Sequence, residues 1–335
     1  MTSRAFPLPT RASSSVVRRA ITLLVIAAAC VAAIPMLRWG IIDATWSGTA
    51  ADCRAHSGAC WAFIGHKLPF ILFGLYPPGA RWRATVATAV LLALMAATAN
   101  PRCWRRWLAL AWAVGLPLAL SLLASGAPTQ RWGGLPITIL LTTVGLAFGM
   151  PLGVLLALGR RSRFPLPRTL ATTFIEVTRG IPLIAVLYLA VLVFPLALPP
   201  GLTIDKLLLA QVAVVLFASA YLAEAVRSGL QIVPRGRLEA ALALGLGWSQ
   251  AMRLVILPEA LRTVIPSFIS ISVGLFQDTS LIVIIGLFDL LNTSRLAAQD
   301  PTWLGFSTEA YLFAAAVYLA GSAIIVRYGR WLERQ

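Results

Sequence analysis

Apolar runs of about 20 residues, most closed by arginines, recur along the 335-residue chain. Runs of that length match the hydrocarbon thickness of a bilayer, so each predicts a membrane-crossing helix. They fall at about Ala20–Leu37, Ala84–Ala99, Leu108–Leu123, Leu135–Leu158, Thr172–Leu198, Leu207–Val226, Ile265–Leu287 and Ala310–Arg327. The fold expected from them is an all-α integral membrane protein with about eight transmembrane helices. Leu68–Tyr76 is apolar but too short to cross, and Pro77-Pro78 ends it, so it is expected at the interface or against the bundle. In the first run, Ala27–Ala33 resembles a small-residue cleavage region, but the run is long for a signal core and further spans follow, so a retained first span is expected.

Composition agrees, with 59% hydrophobic and 12% charged residues, against roughly a quarter charged in an ordinary soluble domain. The net charge of +16 would suggest nucleic acid in a soluble protein. Here the arginines cluster at span ends, where they set orientation and meet anionic lipid. The tail Met1–Arg19 is basic, lacks acids and is expected in the cytoplasm. Eight crossings then return the carboxyl terminus to the same side and put most basic loops there, with Arg38–Arg83 as an outside segment. Trp104 and Trp107, set among Arg102, Arg105 and Arg106, are expected to anchor at the interface and not to bind single strands.

Catalytic chemistry finds little support. Two histidines, His56 and His66, and no spaced carboxylate pair leave no credible hydrolytic or redox site. Cys53, His56, Cys60 and His66 share one stretch, but their spacing fits no standard zinc pattern well. In an oxidising compartment a Cys53–Cys60 disulfide is the simpler expectation; free thiols and a metal site are the alternatives. Gly145, Gly149 and Gly153 recur every four residues, a small-residue stripe suited to close helix packing.

The longest polar interruption of the second half is Tyr221–Arg262, which predicts two short helices. Pro234-Arg235-Gly236 precedes an alanine- and leucine-rich helix, Leu238–Leu244; Gly245 and Gly247 permit a turn; a second helix, Trp248–Leu257, is interrupted by Pro258. Ala240, Ala241 and Ala243 would leave a small-residue docking surface.

Glu239-Ala240-Ala241, three residues, Gly245, nine residues, Val255, one residue and Leu257-Pro258 resemble the EAA loop of ABC importer permeases, with Val255 standing where isoleucine is usual. Phe174–Pro182, Tyr221–Gly229 and Asp278-Thr279-Ser280-Leu281 are similar to the polar amino-acid subfamily, and the amino-terminal extension to the membrane subunits of general L-amino-acid importers. The resemblance spans roughly 132–330 and implies a five-helix type I permease core. The chain then divides into a cytoplasmic tail (1–19), an extension of about three spans with a periplasmic loop at 38–83 (20–131), and the core (132–335) with a cytoplasmic coupling loop (229–262).

The resemblance further implies an inner-membrane permease subunit that passes L-amino acids from a periplasmic binding protein, with Glu239, Ala240, Ala241, Gly245, Leu257 and Pro258 meeting an ABC ATPase dimer. No phosphate-binding loop is present, and the only lysines, Lys67 and Lys206, fall outside. ATP and Mg are therefore expected on the partner, no cofactor on this chain, and a second homologous permease beside it. Glu176 with Arg179, and Glu224 with Arg227, lie three apart and are expected to pair on their helices near the inner gate. Asp278, Thr279 and Ser280 sit within a span, where they would either satisfy a broken helix or bind an ammonium. A permease for another small polar solute such as an opine, or an ion-coupled carrier without an ATPase, are the rival functions; the EAA spacing argues against the second.

Overall fold

The computed structural model describes residues 11–100, 103 and 106–334. The first ten residues of the expected tail, and Arg102, Trp104 and Arg105 of the expected interfacial anchor, lie outside them. Among the described residues, seven helices are long and apolar enough to cross a membrane, or eight if one bent pair counts as a single span. The first, α1 (Arg11–Leu37), starts within the stretch expected as a cytoplasmic tail and stands apart from the bundle, its described side chains exposed almost throughout. Two short helices, α2 (Ala50–Ala55) and α3 (Trp61–Phe73), precede a helical hairpin of α4 (Arg81–Ala99) and α5 (Arg106–Gly126). The remainder runs from α6 (Leu135–Arg160) to α15 (Ser307–Glu333).

The centre is the pair α6 and α9 (Lys206–Ile232). Glycine spacing explains the close approach. A Cβ at Gly145 would come 2.9 Å from Val214, one at Gly149 3.1 Å from Ala218, and one at Gly153 2.9 Å from Leu222. With no water-driven force between helices in lipid, such small-residue contacts supply much of the association.

The expected single span Thr172–Leu198 is two elements. α7 (Pro165–Gly180) and the segment beginning with α8 (Leu183–Tyr188) and ending at Ala197 meet at 108°. The cause is local: Ile181 precedes Pro182 and is extended (φ −109°, ψ 134°), because the proline ring disfavours a helical residue before it.

Of the apolar stretch too short to cross, Leu68 to Phe73 form the end of α3 and the last three residues lie beyond it; α3 packs on α14 (Leu290–Ala297) and α15, with Ile71 fully buried. The Thr293 hydroxyl donates to the Ile71 carbonyl at 2.6 Å. Gly74 and Gly133 touch backbone to backbone. The fold is all-α except for a two-residue parallel pairing of β1 (Gly133–Gly134) with β2 (Phe288–Asp289) beside this contact and an isolated Thr45–Cys60 bridge.

Candidate functional site

The segment after α9 carries the Glu239-to-Pro258 pattern. Val233 and Pro234 are extended, which ends α9 and starts α10 (Arg235–Ala243). At its far end the Gly245 N–H donates to Leu242 and the Leu246 N–H to Ala241. That double closure needs a left-handed residue, and Gly245 supplies it with φ +85°. The chain turns back as α11 (Trp248–Ala251), which passes through a π-helical turn at Met252–Ile256 into α12 (Leu257–Thr263). Pro258 therefore does not break the second helix as expected. Its missing N–H falls just after the widened turn, where the Leu257 N–H reaches Met252 five residues back and the clash with a regular turn is relieved.

This hairpin is seated on α9. Met252, Ile256 and Ala260 share a buried cluster with Val226, Leu230 and Val233, and Ala241 and Ala251 are buried as well. Gly229 sits where a Cβ would come 2.5 Å from the Ala260 carbonyl. Arg237 clamps α10 to α12 through Glu259 at 2.6 Å. Ala241 is buried, so the small-residue docking surface expected of three alanines reduces to Ala240 and Ala243; Glu239 and Gly245 are exposed beside them. Leu244 is 84% and Trp248 54% exposed at the tip.

Above the hairpin, charged side chains from three helices converge. Glu224 pairs with Arg227 on its own helix through both carboxylate oxygens, as the spacing implied. Glu176 and Arg179 do not pair with each other. Arg160 takes Glu176 at 2.8 Å and lies 3.5 Å from Glu224, and Arg179 lies 3.6 Å from Glu224. Cross-helix partners win because α6, α7 and α9 bring these ends together. The role of Arg160 was concealed by its place in a run of loop arginines.

Arg179 also sits 5.7 Å over the Tyr221 ring. Tyr221, with Phe217, lines a cavity of about 330 Å³ whose other wall is Ser270, Gly274 and Asp278 of α13 (Ile265–Asp278). Asp278 is the last residue of α13 before a 3₁₀ turn, Thr279–Ile285, and its carboxylate has no hydrogen-bond or ion-pair partner among the described residues. Its expected companions part from it: Thr279 is buried and donates to the Phe276 carbonyl, and the Ser280 carbonyl accepts from Asn292. Only Asp278 of the three lines the cavity.

The opposite end joins groups the sequence singled out to others it did not. Asp289 is fully buried, caps α14, and accepts hydrogen bonds from the Leu291 and Asn292 N–H groups, the Asn292 amide and the Tyr318 hydroxyl. Cys53 and Cys60 form a disulfide with Cα atoms 5.5 Å apart. The two sulfurs are thus not metal ligands, and the ring nitrogens of His56 and His66 meet the Asp52 and Gly48 carbonyls. The Cys60 N–H donates to Glu309, itself 4% exposed. Lys67 pairs with Asp300 at 2.6 Å and holds its carboxyl below the usual range, helped by the Thr302 N–H. Asp52 is lowered likewise by its bonds to Thr49, the cap of α2.

Over residues 149–335, more than half of its length, the chain matches the family described as binding-protein-dependent transport system inner membrane component. It belongs to that family. It is 45% identical over 315 residues to the inner membrane amino-acid ABC transporter permease protein YhdY of Escherichia coli (strain K12), covering 90% of this chain and 84% of that one. The glutamate/glutamine/aspartate/asparagine transport system permease protein BztC of Rhodobacter capsulatus is 33% identical, covering 91% and 86%. Matches of that breadth reach well into the segment before Trp132. A crystal structure of an amino acid ABC transporter with histidines superposes with a TM-score of 0.54 at 29% identity, over 60% of this chain and 91% of that one. The protein is a multi-pass inner membrane permease subunit with a type I core.

Proposed function

We propose that the chain is the permease subunit of an ATP-driven importer that moves L-amino acids from a periplasmic binding protein into the cytoplasm. It works beside a second homologous permease, with both termini and the α10–α12 hairpin in the cytoplasm. A separate ATPase dimer holds ATP and Mg, and its cleft receives the tip around Glu239, Ala240 and Gly245. The amino-acid class is supported by the names of the relatives, and the ATPase by the lack of a phosphate-binding loop in this sequence.

The observation that carries this proposal is that the hairpin joins the two helices that wall the cavity. α9 enters it and contributes Phe217 and Tyr221; α12 leaves it into α13, which contributes Ser270, Gly274 and Asp278. A push on the tip is passed to α9 by the Gly229–Ala260 contact and to α13 through the continuous α11–α12 run, with Leu257 and Pro258 at the joint. The spacing of the walls changes with it, which is how a rigid-body step on the ATPase becomes alternating access. Asp278, a carboxylate in a cavity at membrane depth, is suited to the ammonium of an amino acid; Glu176, Arg179 and Glu224 hold the helix ends beneath it.

The test is reconstitution with ATPase, second permease and binding protein, comparing wild type with Gly245→Trp. Nothing lies within 4 Å of a Cβ at Gly245, so the substitution strains the left-handed turn without disturbing the core. Amino acid plus binding protein is expected to stimulate ATP hydrolysis in wild type and not in the variant. Passage of solute without ATP, unaffected by the substitution, overturns the proposal.

A further inference from the structure

Beside the hairpin, between it and the α6–α7 connection, lies a cleft of about 790 Å³. Three arginines line it, Arg161 and Arg163 on one side and Arg253 on the other, and no acidic residue does. The guanidinium groups of Arg163 and Arg253 form no ion pair or hydrogen bond among the described residues, whereas Arg161 spends one side-chain N–H on the Leu230 carbonyl at 3.1 Å. Between the charges stand Ser249 and the rings of Phe164 and Trp248. Trp248 belongs both to the cleft and to the exposed tip, so the basic cleft is continuous with the apolar tip around Leu244.

We propose that this cleft receives an acidic segment of the partner ATPase, one that sets carboxylates against Arg163 and Arg253 and an apolar side chain against Trp248. This rests on the importer proposal above and adds to it a second, electrostatic footprint next to the helix tip. Unpaired guanidinium groups on both walls of a cleft attract carboxylates and fix register. Because one wall is the α6–α7 connection and the other is the hairpin, with Arg253 on its π-helical turn, a segment bound here ties the hairpin to α6 and α7 as well as to α9. The ATPase would thus act on the Glu176–Arg160–Glu224 cluster through α6, whose Leu158 and Gly159 line the cleft just before Arg160.

The experiment places a fluorophore at Ser249→Cys in a Cys30→Ser/Cys103→Ser background, in nanodiscs of phosphatidylcholine with the second permease, and titrates the purified ATPase of the same transporter. The probe is expected to be shielded on binding, with affinity falling as salt rises. Arg163→Glu/Arg253→Glu is expected to weaken binding about tenfold and flatten the salt dependence, mostly through the association rate. Arg163→Lys/Arg253→Lys should retain most of both, and unchanged melting of each pair shows that the fold is intact. Unaltered affinity and salt slope in the charge-reversed pair, with wild type binding normally, overturn this inference and leave the importer proposal standing. A probe that the ATPase leaves exposed, but that phosphatidylglycerol nanodiscs alone shield, assigns the cleft to anionic lipid and overturns it too. If the wild-type pair of permeases binds no ATPase, both proposals fall.

Discussion

Glu224 faces three guanidinium groups, from Arg227, Arg160 and Arg179, while the other carboxylate of the cluster, Glu176, contacts Arg160. Replacing Glu224 by glutamine keeps the shape but leaves an excess of positive charge in a partly enclosed site. The expected cost is about 1–3 kcal/mol, the range for stranding polar partners away from water. Thermal melting in detergent checks it, and Glu224→Gln/Arg227→Gln should be less destabilised than the sum of the two single changes, the mark of direct coupling. The cluster also shows what was legible. The three-residue spacing of Glu224 and Arg227 found their bond because both partners share a helix. The same rule failed for Glu176 and Arg179, because Arg160 lies 16 positions before Glu176 and only the packing of α6 on α7 makes them neighbours. Asp278 was visible as a charge inside an apolar run, but its separation from Thr279 follows from the change to a tighter helix, which no residue pattern announced.

At the level of elements, helix pairing was well encoded and helix breaks were not. The glycine stripe of α6 meets Val214, Ala218 and Leu222 of α9, and its consequence is quantitative. In Gly153→Ala the new methyl would sit 2.9 Å from Leu222 Cβ and 3.0 Å from the Ser219 carbonyl, so α6 and α9 must separate. Overpacking of this kind costs about 1–3 kcal/mol, to be read as a lower melting temperature. Gly65→Ala, in α3 with nothing within 4 Å of its Cβ, should be neutral or slightly stabilising because alanine is the better helix former. Equal gains for both would show that helix propensity, not contact, decides. A window of about 20 apolar residues cannot distinguish a straight span from one bent at Ile181-Pro182. Nor does the proline at 258 reveal whether a π-helical turn will absorb it.

Across the whole molecule, the extension before Trp132 is fastened to the core. Lys67 reaches Asp300, Arg54 donates to the Thr302 carbonyl at 2.8 Å, the Cys60 N–H meets Glu309, and Phe63 and His66 stack about Trp303. The Cys53–Cys60 disulfide fixes the loop that presents the Cys60 N–H. Composition and span counting place such an extension beside the core, but contacts across more than two hundred residues leave no local trace. These ties make the connection between α14 and α15 depend on the charge of Asp300. Its carboxyl is lowered by Lys67 and by the Thr302 N–H, so the folded form binds a proton less readily than the unfolded one. The contribution to stability is complete above the ordinary aspartate range, near pH 4, and is lost only as pH falls through the depressed value. Arg54 donates to the same turn and His66 lies against Trp303, so the backbone of the turn reports more directly than tryptophan fluorescence. Backbone hydrogen exchange of residues 300–306, corrected for intrinsic rates, is therefore the readout. Protection is expected to hold from pH 8 to 5 in wild type and fall below about pH 4. Lys67→Gln should be less protected at neutral pH, and the acid step should shift upward, because the group that depressed the Asp300 carboxyl is gone. An acid step at the same pH in both would mean that the Thr302 N–H, and not Lys67, sets the charge of Asp300.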